Sequence, residues 1–307
     1  MVLVAYAQGY PVKPVRMIVP YPPGGVTDIV ARLIGDGLTK SLGRQVIVDY
    51  RAGASGNIGS DAIAKAVADG YTVGIATPGP FSIGRSLYPS LPYDPVKDFA
   101  PIILVSESPM VLVVHPSMPA KNVKELIALA KAQPGKLNVA LVASGSVGHL
   151  LTEMLKGVAG VKMENIVYKG GGPALIDLIS GQVDMLFSTL TVALPFMNTG
   201  RFRSIAMASE KRSALIPQVP TMRELGFAGF TGGSWSAVVA PAGTPRDIVA
   251  RLNAEVNSIL KSAEVNERFR GVGLDVIGGS PENLEAFLLA ETEKWAKVIR
   301  TANIKAE

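Results

Sequence analysis

The chain has 307 residues, 48% of them apolar, a formal net charge of +5 and no cysteine. That length suits two ordinary domains with substantial cores, and the missing thiols exclude a disulfide framework, thiol catalysis and thiolate metal sites. Lysine and arginine are scattered among acids, with no basic stripe interleaved with aromatics, so no nucleic-acid surface is expected.

The first residues, MVLVAYAQ, contain the small-x-small run AYA followed by Gln8, which is how the end of a secretory signal peptide reads. Residues 1–9 are therefore expected to be a signal-peptide remnant or scar outside the fold; the other reading is a short N-terminal strand. No apolar run reaches the roughly 18 residues of a membrane span.

Val15 and Met17 to Val19 read as a strand, and Ile29, Val30, Leu33 and Ile34 then recur at helical spacing. Between them lies PYPPGG. Gly24 and Gly25 let the backbone come close to whatever sits above the helix, whose first N–H groups have no intrahelical partner. Such a turn is either an anion site made of backbone alone or a simple βα connection. The same passage from strand through Gly, Ser, Thr or Pro into a helix recurs in residues 46–66, 72–88, 137–155 and 166–179. An α/β fold with largely parallel sheets follows, its turns at the carboxyl ends of the strands, where ligands bind. Three turns lie near the start of the chain and two in its middle, so a cleft between two α/β halves would bring them face to face.

Two C-terminal helices have recognisable starts. Thr244-Pro245 begins one that turns Ile248, Val249, Leu252, Val256, Ile259 and Leu260 inward. Ser280-Pro281-Glu282 supplies an N-cap, a first-position proline and a first-turn acid for the last, whose buried face holds Leu284, Phe287, Leu288, Trp295 and Val298. The two are expected to pack side by side.

Catalytic patterns are sparse. The histidines are His115 and His149, too few for a site of several histidine ligands, and no HExxH occurs. Ser146 and His149, three apart in SGSVGH, could share a helix face as a hydrolytic pair, but no neighbouring acid orients the imidazole and SGSVG is not a GxSxG elbow. Contact with a ligand, or packing at a helix start, is the stronger reading. There is no GxxxxGK[ST]; GGGPAL lacks the GxGxxG order, and GASGNIG reads as a tight turn with close helix packing. No cofactor or metal is expected.

The segments YPVKPVRMIVPYPPGGVTDIVARL, RAGASGNIGSDAIAKAVADGYTVGIATP, LYPSLPYDPVKDFAPI, YKGGGPALIDLISGQVDMLF, VPTMRELG and VVAPAGTPRDIVARLN, in that order, closely resemble the substrate-binding proteins of tripartite tricarboxylate transporters, the Bordetella uptake gene family. The resemblance runs from about residue 10 to the end. It implies a type II-like periplasmic binding protein fold, a hinged clamshell of two α/β domains: 10–101 with 226–307, and 102–225. It also implies a periplasmic location with the signal peptide removed, a small carboxylate ligand, transporter membrane components as partners, and no enzymatic activity; a monomer is expected. The carboxylate would lie against Pro23, Gly24 and Gly25, with Asp28 matching the family's acid. The opposite wall would come from Ser144, Gly145, Ser146 and His149, from Lys169, Gly170, Gly171, Gly172 and Pro173, and from Ser188.

One turn departs from the family. After Ala76-Thr77-Pro78 the family commonly continues with Thr or Ser and then His-Ala-Ile-Asn-Pro, whereas this chain reads Gly79-Pro80-Phe81-Ser82-Ile83-Gly84-Arg85. Thr77, Gly79, Phe81, Ser82 and Arg85 are expected to face the ligand's far end. Phe81 would lie on an apolar spacer or belong to the core, and Arg85 would pair with a second carboxylate or be only a solvated helix residue. Two other functional readings stand beside transport: a serine hydrolase using Ser146 and His149, and a ligand sensor for a membrane receptor.

Overall fold

In the computed structural model, described for residues 9–305, the expected signal remnant falls almost wholly outside the described residues. The elements run β1 (Val15–Val19), α1 (Val26–Leu42), β2 (Val46–Tyr50), α2 (Asn57–Ala64), β3 (Thr72–Ala76), α3 (Gly84–Leu87), β4 (Phe99–Val114), α4 (Val123–Ala132), β5 (Asn138–Leu141) and α5 (Val147–Ala159). They continue β6 (Glu164–Val167), α6 (Gly171–Ile179), β7 (Met185–Thr189), α7 (Leu190–Ala193), β8 (Arg203–Ala208), β9 (Gly233–Pro241), α8 (Arg246–Lys261), α9 (Ala263–Gly271), β10 (Asp275–Val276) and α10 (Pro281–Thr301). All five strand-turn-helix units read from the sequence form, the third through a π turn at Gly79–Ile83 before α3.

Two sheet halves share one strand. In the first half β1 pairs in parallel with β2 and β3, then β9 and β4 run antiparallel to the strands beside them. In the second half β5 pairs in parallel with β6 and β7, while β4 runs antiparallel to β7 and β8. Residues 99–109 of β4 pair with β9, and Met110 to Val114 pair with β7 and β8, so this strand carries the chain from one half into the other. The parallel sheets foreseen are thus interrupted by antiparallel crossing strands, because a chain that enters the second half must also return.

Alternation along the strands assigns the helices to faces. In the first half Met17, Val19, Val238 and Ala240 pack under α1 and α8, whereas Ile18, Ala237, Val239 and Trp235 face α2 and the start of α10. This corrects the expected side-by-side packing: α8 and α10 lie on opposite faces of one sheet. They meet where the side-chain amides of Asn253 and Asn257 donate to the Gly279 carbonyl at 2.9 Å, just before α10. In the second half Leu112, Val139, Leu141 and Phe187 form one core with α4 and α5, and Val111, Val113, Ala140 and Leu186 form another with α6. Trp295 and Ile299 of α10 enter the first of these cores while Leu284 belongs to the other half. The last helix therefore ties both halves.

Candidate functional site

Helix ends explain where binding chemistry is available. Asn122, Ser146, Ser262 and Ser280 cap α4, α5, α9 and α10, each accepting a backbone N–H with its side chain. At α1 and α6 the capping positions are Gly25 and Gly170, which have no side chain to offer. The first N–H groups of those two helices are left for something outside the helix.

The α1 and α6 ends open onto one cleft of about 140 Å³ between the halves, whereas α2 and α8, which also start without a side-chain cap, begin outside its lining. Its first wall is Tyr21 to Pro23, Gly25 to Thr27 and Thr77 to Gly79; its second is Val142, Ala143, Ser146 to Gly148 and Lys169 to Pro173. The walls stand close: a Cβ placed on Gly172 would lie 4.0 Å from the Gly24 carbonyl oxygen, and one on Gly79 would lie 3.6 Å from that of Gly145. The Tyr88 hydroxyl, donating to the Ser144 carbonyl at 3.2 Å, joins the two halves directly. Four of the five strand-turn-helix turns line the cleft. The β2–α2 turn stands behind it, its Ser55 carbonyl accepting from the Tyr21 hydroxyl at 3.0 Å. Burial pushes the Tyr21 phenol up to about 12, so it stays a neutral donor at any physiological pH.

Of the residues expected from the sequence, Pro23, Gly25, Thr77, Gly79, Ser146 and Lys169 to Pro173 line this cleft. Gly24 and Asp28 do not. The Gly24 N–H, in a turn at φ +92°, donates to Asp28 Oδ2 at 2.9 Å. Asp28 Oδ1 accepts from Arg32 Nε at 2.7 Å and from the Tyr50 hydroxyl. Burial alone would raise the Asp28 pKa, but the hydrogen bonds from Tyr50, Gly24 and Arg32 outweigh it and hold the carboxyl below its usual range. Asp28 therefore shapes the turn from beneath, its carboxylate held by Gly24, Arg32 and Tyr50.

At the divergent turn Phe81 and Arg85 take the core and solvated positions of the alternative reading. Phe81 is buried against Phe99, ring centroids 4.6 Å apart, and Ser82 is buried beside it. Arg85 lies in a separate surface groove with Tyr88 to Pro95. The π turn rotates these side chains into the core and to the outer surface, so neither Phe81 nor Arg85 reaches the cleft. Ser144 lines another groove beside Ala54 and Ser55, Gly145 is overlain by Leu87, and buried Ser188 donates its hydroxyl to the Thr189 carbonyl at 3.1 Å.

Ser146 and His149 are both engaged by the backbone of the turn that starts α5. The Ser146 hydroxyl accepts the His149 backbone N–H at 3.2 Å as the cap of α5, and the imidazole Nδ1 accepts the Gly145 N–H at 3.0 Å. The ring is buried and oriented by the turn it supports. Sequence reasoning missed more than half of the lining, including the polar residues Tyr21, Thr27, Thr189 and Ser234 and the apolar Val26, Met110, Val142, Val147 and Val192. Tyr21 and Thr27 lie inside the quoted PYPPGGVTD run and were within its reach. Met110, Thr189 and Ser234 come from strand positions that carry no turn signal.

With this geometry in view, residues 30–304 match the tripartite tricarboxylate transporter family receptors. The chain is 41% identical over 300 residues to Protein BugT of Bordetella pertussis (strain Tohama I), covering 97% of this chain and 92% of that one. It superposes with a TM-score of 0.93 on Rpa4515 of R. palustris, solved with adipate, at 38% identity, covering 96% of this chain and 99% of the other. The periplasmic binding protein BugD aligns with a TM-score of 0.92 at 35% identity, over 97% of this chain and all (100%) of its own.

Proposed function

This chain belongs to the tripartite tricarboxylate transporter family receptors, and from that premise we propose that it captures a small carboxylic acid in the periplasm and delivers it to the membrane components of such a transporter. The observation that carries the reading is the pair of uncapped helix ends, α1 and α6, on opposite walls of one cleft whose described lining includes no Asp or Glu. Each end presents N–H donors and about half a positive charge, worth roughly 0.3–1 kcal/mol to an anion when exposed and up to about 2 kcal/mol when partly buried. Tyr21, Thr27, Thr77 and Ser146 supply hydroxyls, and Val26, Met110, Val142, Val147 and Val192 supply an apolar middle. That is a lining for an acid with a hydrocarbon body. The adipate in Rpa4515 is such a molecule.

We place the hinge in β4 near Pro109 and at the start of β9, with 10–101 and 226–307 closing against 102–225 as a monomer, and α10 as a further tether. A thermal-shift screen of mono-, di- and tricarboxylates, aromatic acids and amino acids tests the reading. A ligand at a hundredfold excess over its Kd stabilises the folded state by about 2.7 kcal/mol. Small-angle scattering on the same mixtures should show a smaller radius of gyration, at monomer mass, with the ligand that shifts the melt. No shift with any carboxylate would overturn the reading. Uptake and sensing are separated by capturing membrane partners with and without ligand: transporter components support delivery, and a signalling receptor would replace it.

A further inference from the structure

We propose that Lys169 reads the number of negative charges on the ligand, making the cleft selective for dianions over monoanions of the same shape. This rests on the carboxylate reading above. Lys169 is the single lysine or arginine among the described residues lining the cleft, and it stands solvent-exposed at the turn between β6 and α6, next to the uncapped α6 end.

The charge balance of the site gives the reason. Asp28 and Arg32 pair at 2.7 Å beneath the first turn and cancel. The remaining fixed charge comes from helix ends, up to about half a unit each: α1 and α6, uncapped, and α5, whose first donors the Ser146 cap partly satisfies, so the backbone supplies charge for about one carboxylate. Lys169 adds one full unit and brings the cleft to about the charge of two carboxylates. An acid with a single carboxylate is matched without Lys169, whereas the second carboxylate of a diacid has no other cationic side chain in the lining to meet. Arg85, the residue the sequence offered for this task, lies in a different groove.

The test uses adipate and hexanoate, which share a six-carbon chain and differ by one carboxylate, titrated calorimetrically into the wild type, Lys169→Met and Lys169→Arg. Lys169→Met should weaken adipate about fivefold or more and hexanoate less than about twofold, since a charge partner at a solvent-exposed rim is worth up to about 1 kcal/mol and a partly closed one more. Lys169→Arg should restore adipate affinity, and the salt dependence of adipate binding should be shallower in Lys169→Met. Equal losses for the two acids, or none, would overturn the role of Lys169 while leaving the carboxylate reading standing. If the wild type binds neither acid nor any other carboxylate, the carboxylate reading falls, and this inference with it. Unchanged melting temperatures of the free variants show that folding is not what the titrations report.

Discussion

Trp235 and Trp295, the chain's two tryptophans, donate their indole N–H groups to one oxygen, Oε2 of Glu291, at 3.2 and 2.8 Å. Trp235 belongs to the core of the first half and Trp295 to that of the second. Lys294 completes the carboxylate through Oε1 at 2.8 Å. A single buried acid thus satisfies an indole from each half. Glu291→Leu would leave both donors buried and unmet and should cost about 2–4 kcal/mol in urea unfolding followed by tryptophan fluorescence. Glu291→Gln keeps an acceptor and should cost about 1 kcal/mol. Equal stability of Glu291→Leu and wild type would show that the indoles find other partners.

Asp28 makes part of the stability pH-dependent. Its folded pKa lies below the ordinary 3.8, so its contribution is fully present above that value and is lost as pH falls through the folded pKa. Asp28→Asn should therefore be less stable than wild type by about 1–3 kcal/mol near neutral pH, since its partners include a guanidinium and a backbone N–H. The difference should shrink below about pH 4 as the wild-type carboxylate protonates. A constant gap down to about pH 2 would mean that the charge on Asp28 is irrelevant.

The proposed closure would need the space above Gly172. A Cβ there would stand 4.0 Å from the Gly24 carbonyl oxygen, so alanine fits, whereas the two further methyl groups of valine press on the opposite wall. Gly172→Val should weaken ligand binding about tenfold or more with an unchanged melting temperature, and Gly172→Ala should weaken it by less than about threefold. Scattering should then show the valine variant failing to compact with ligand.

Ser146 is a helix cap, and it behaves as one in our expectation. Ser146→Ala should lower stability by about 0.5–2 kcal/mol. Hydrolysis of p-nitrophenyl acetate should equal the buffer rate for wild type and variant alike, because an imidazole whose Nδ1 accepts the Gly145 N–H carries its proton on Nε2 and has no free nitrogen to act as base. Ester turnover that disappears in Ser146→Ala would restore the hydrolase.

Arg85→Ala should leave the affinity for adipate within about twofold of wild type, since Arg85 lines a groove separate from the cleft and an exposed charge is screened by salt. A loss confined to diacids would return Arg85 to the specificity role that its groove denies it.

Local patterns in this chain determined a great deal. A strand followed by glycines and an apolar period near 3.6 is a property of about twenty neighbouring residues, and each of the five units formed where that pattern stood, as did the Ser280 cap of α10. The glycines at 25 and 170, which leave two helix ends uncapped, were visible in the same way. What only the tertiary structure decided is which side chains share the cleft. Asp28 sits beside the binding turn in sequence, yet Tyr50, brought next to it by the pairing of β1 with β2, and Arg32, one helical turn along, help to consume its carboxylate. Phe81 and Arg85 sit on a turn that does face the cleft, but one π turn sends the first into the core against Phe99 and the second to the outer surface. Met110, Thr189 and Ser234 enter the lining because β4, β7 and β9 meet where the two sheet halves join. Pairing between strands about thirty or more residues apart is set by the burial of whole faces, a sum over the molecule that no local stretch of residues contains.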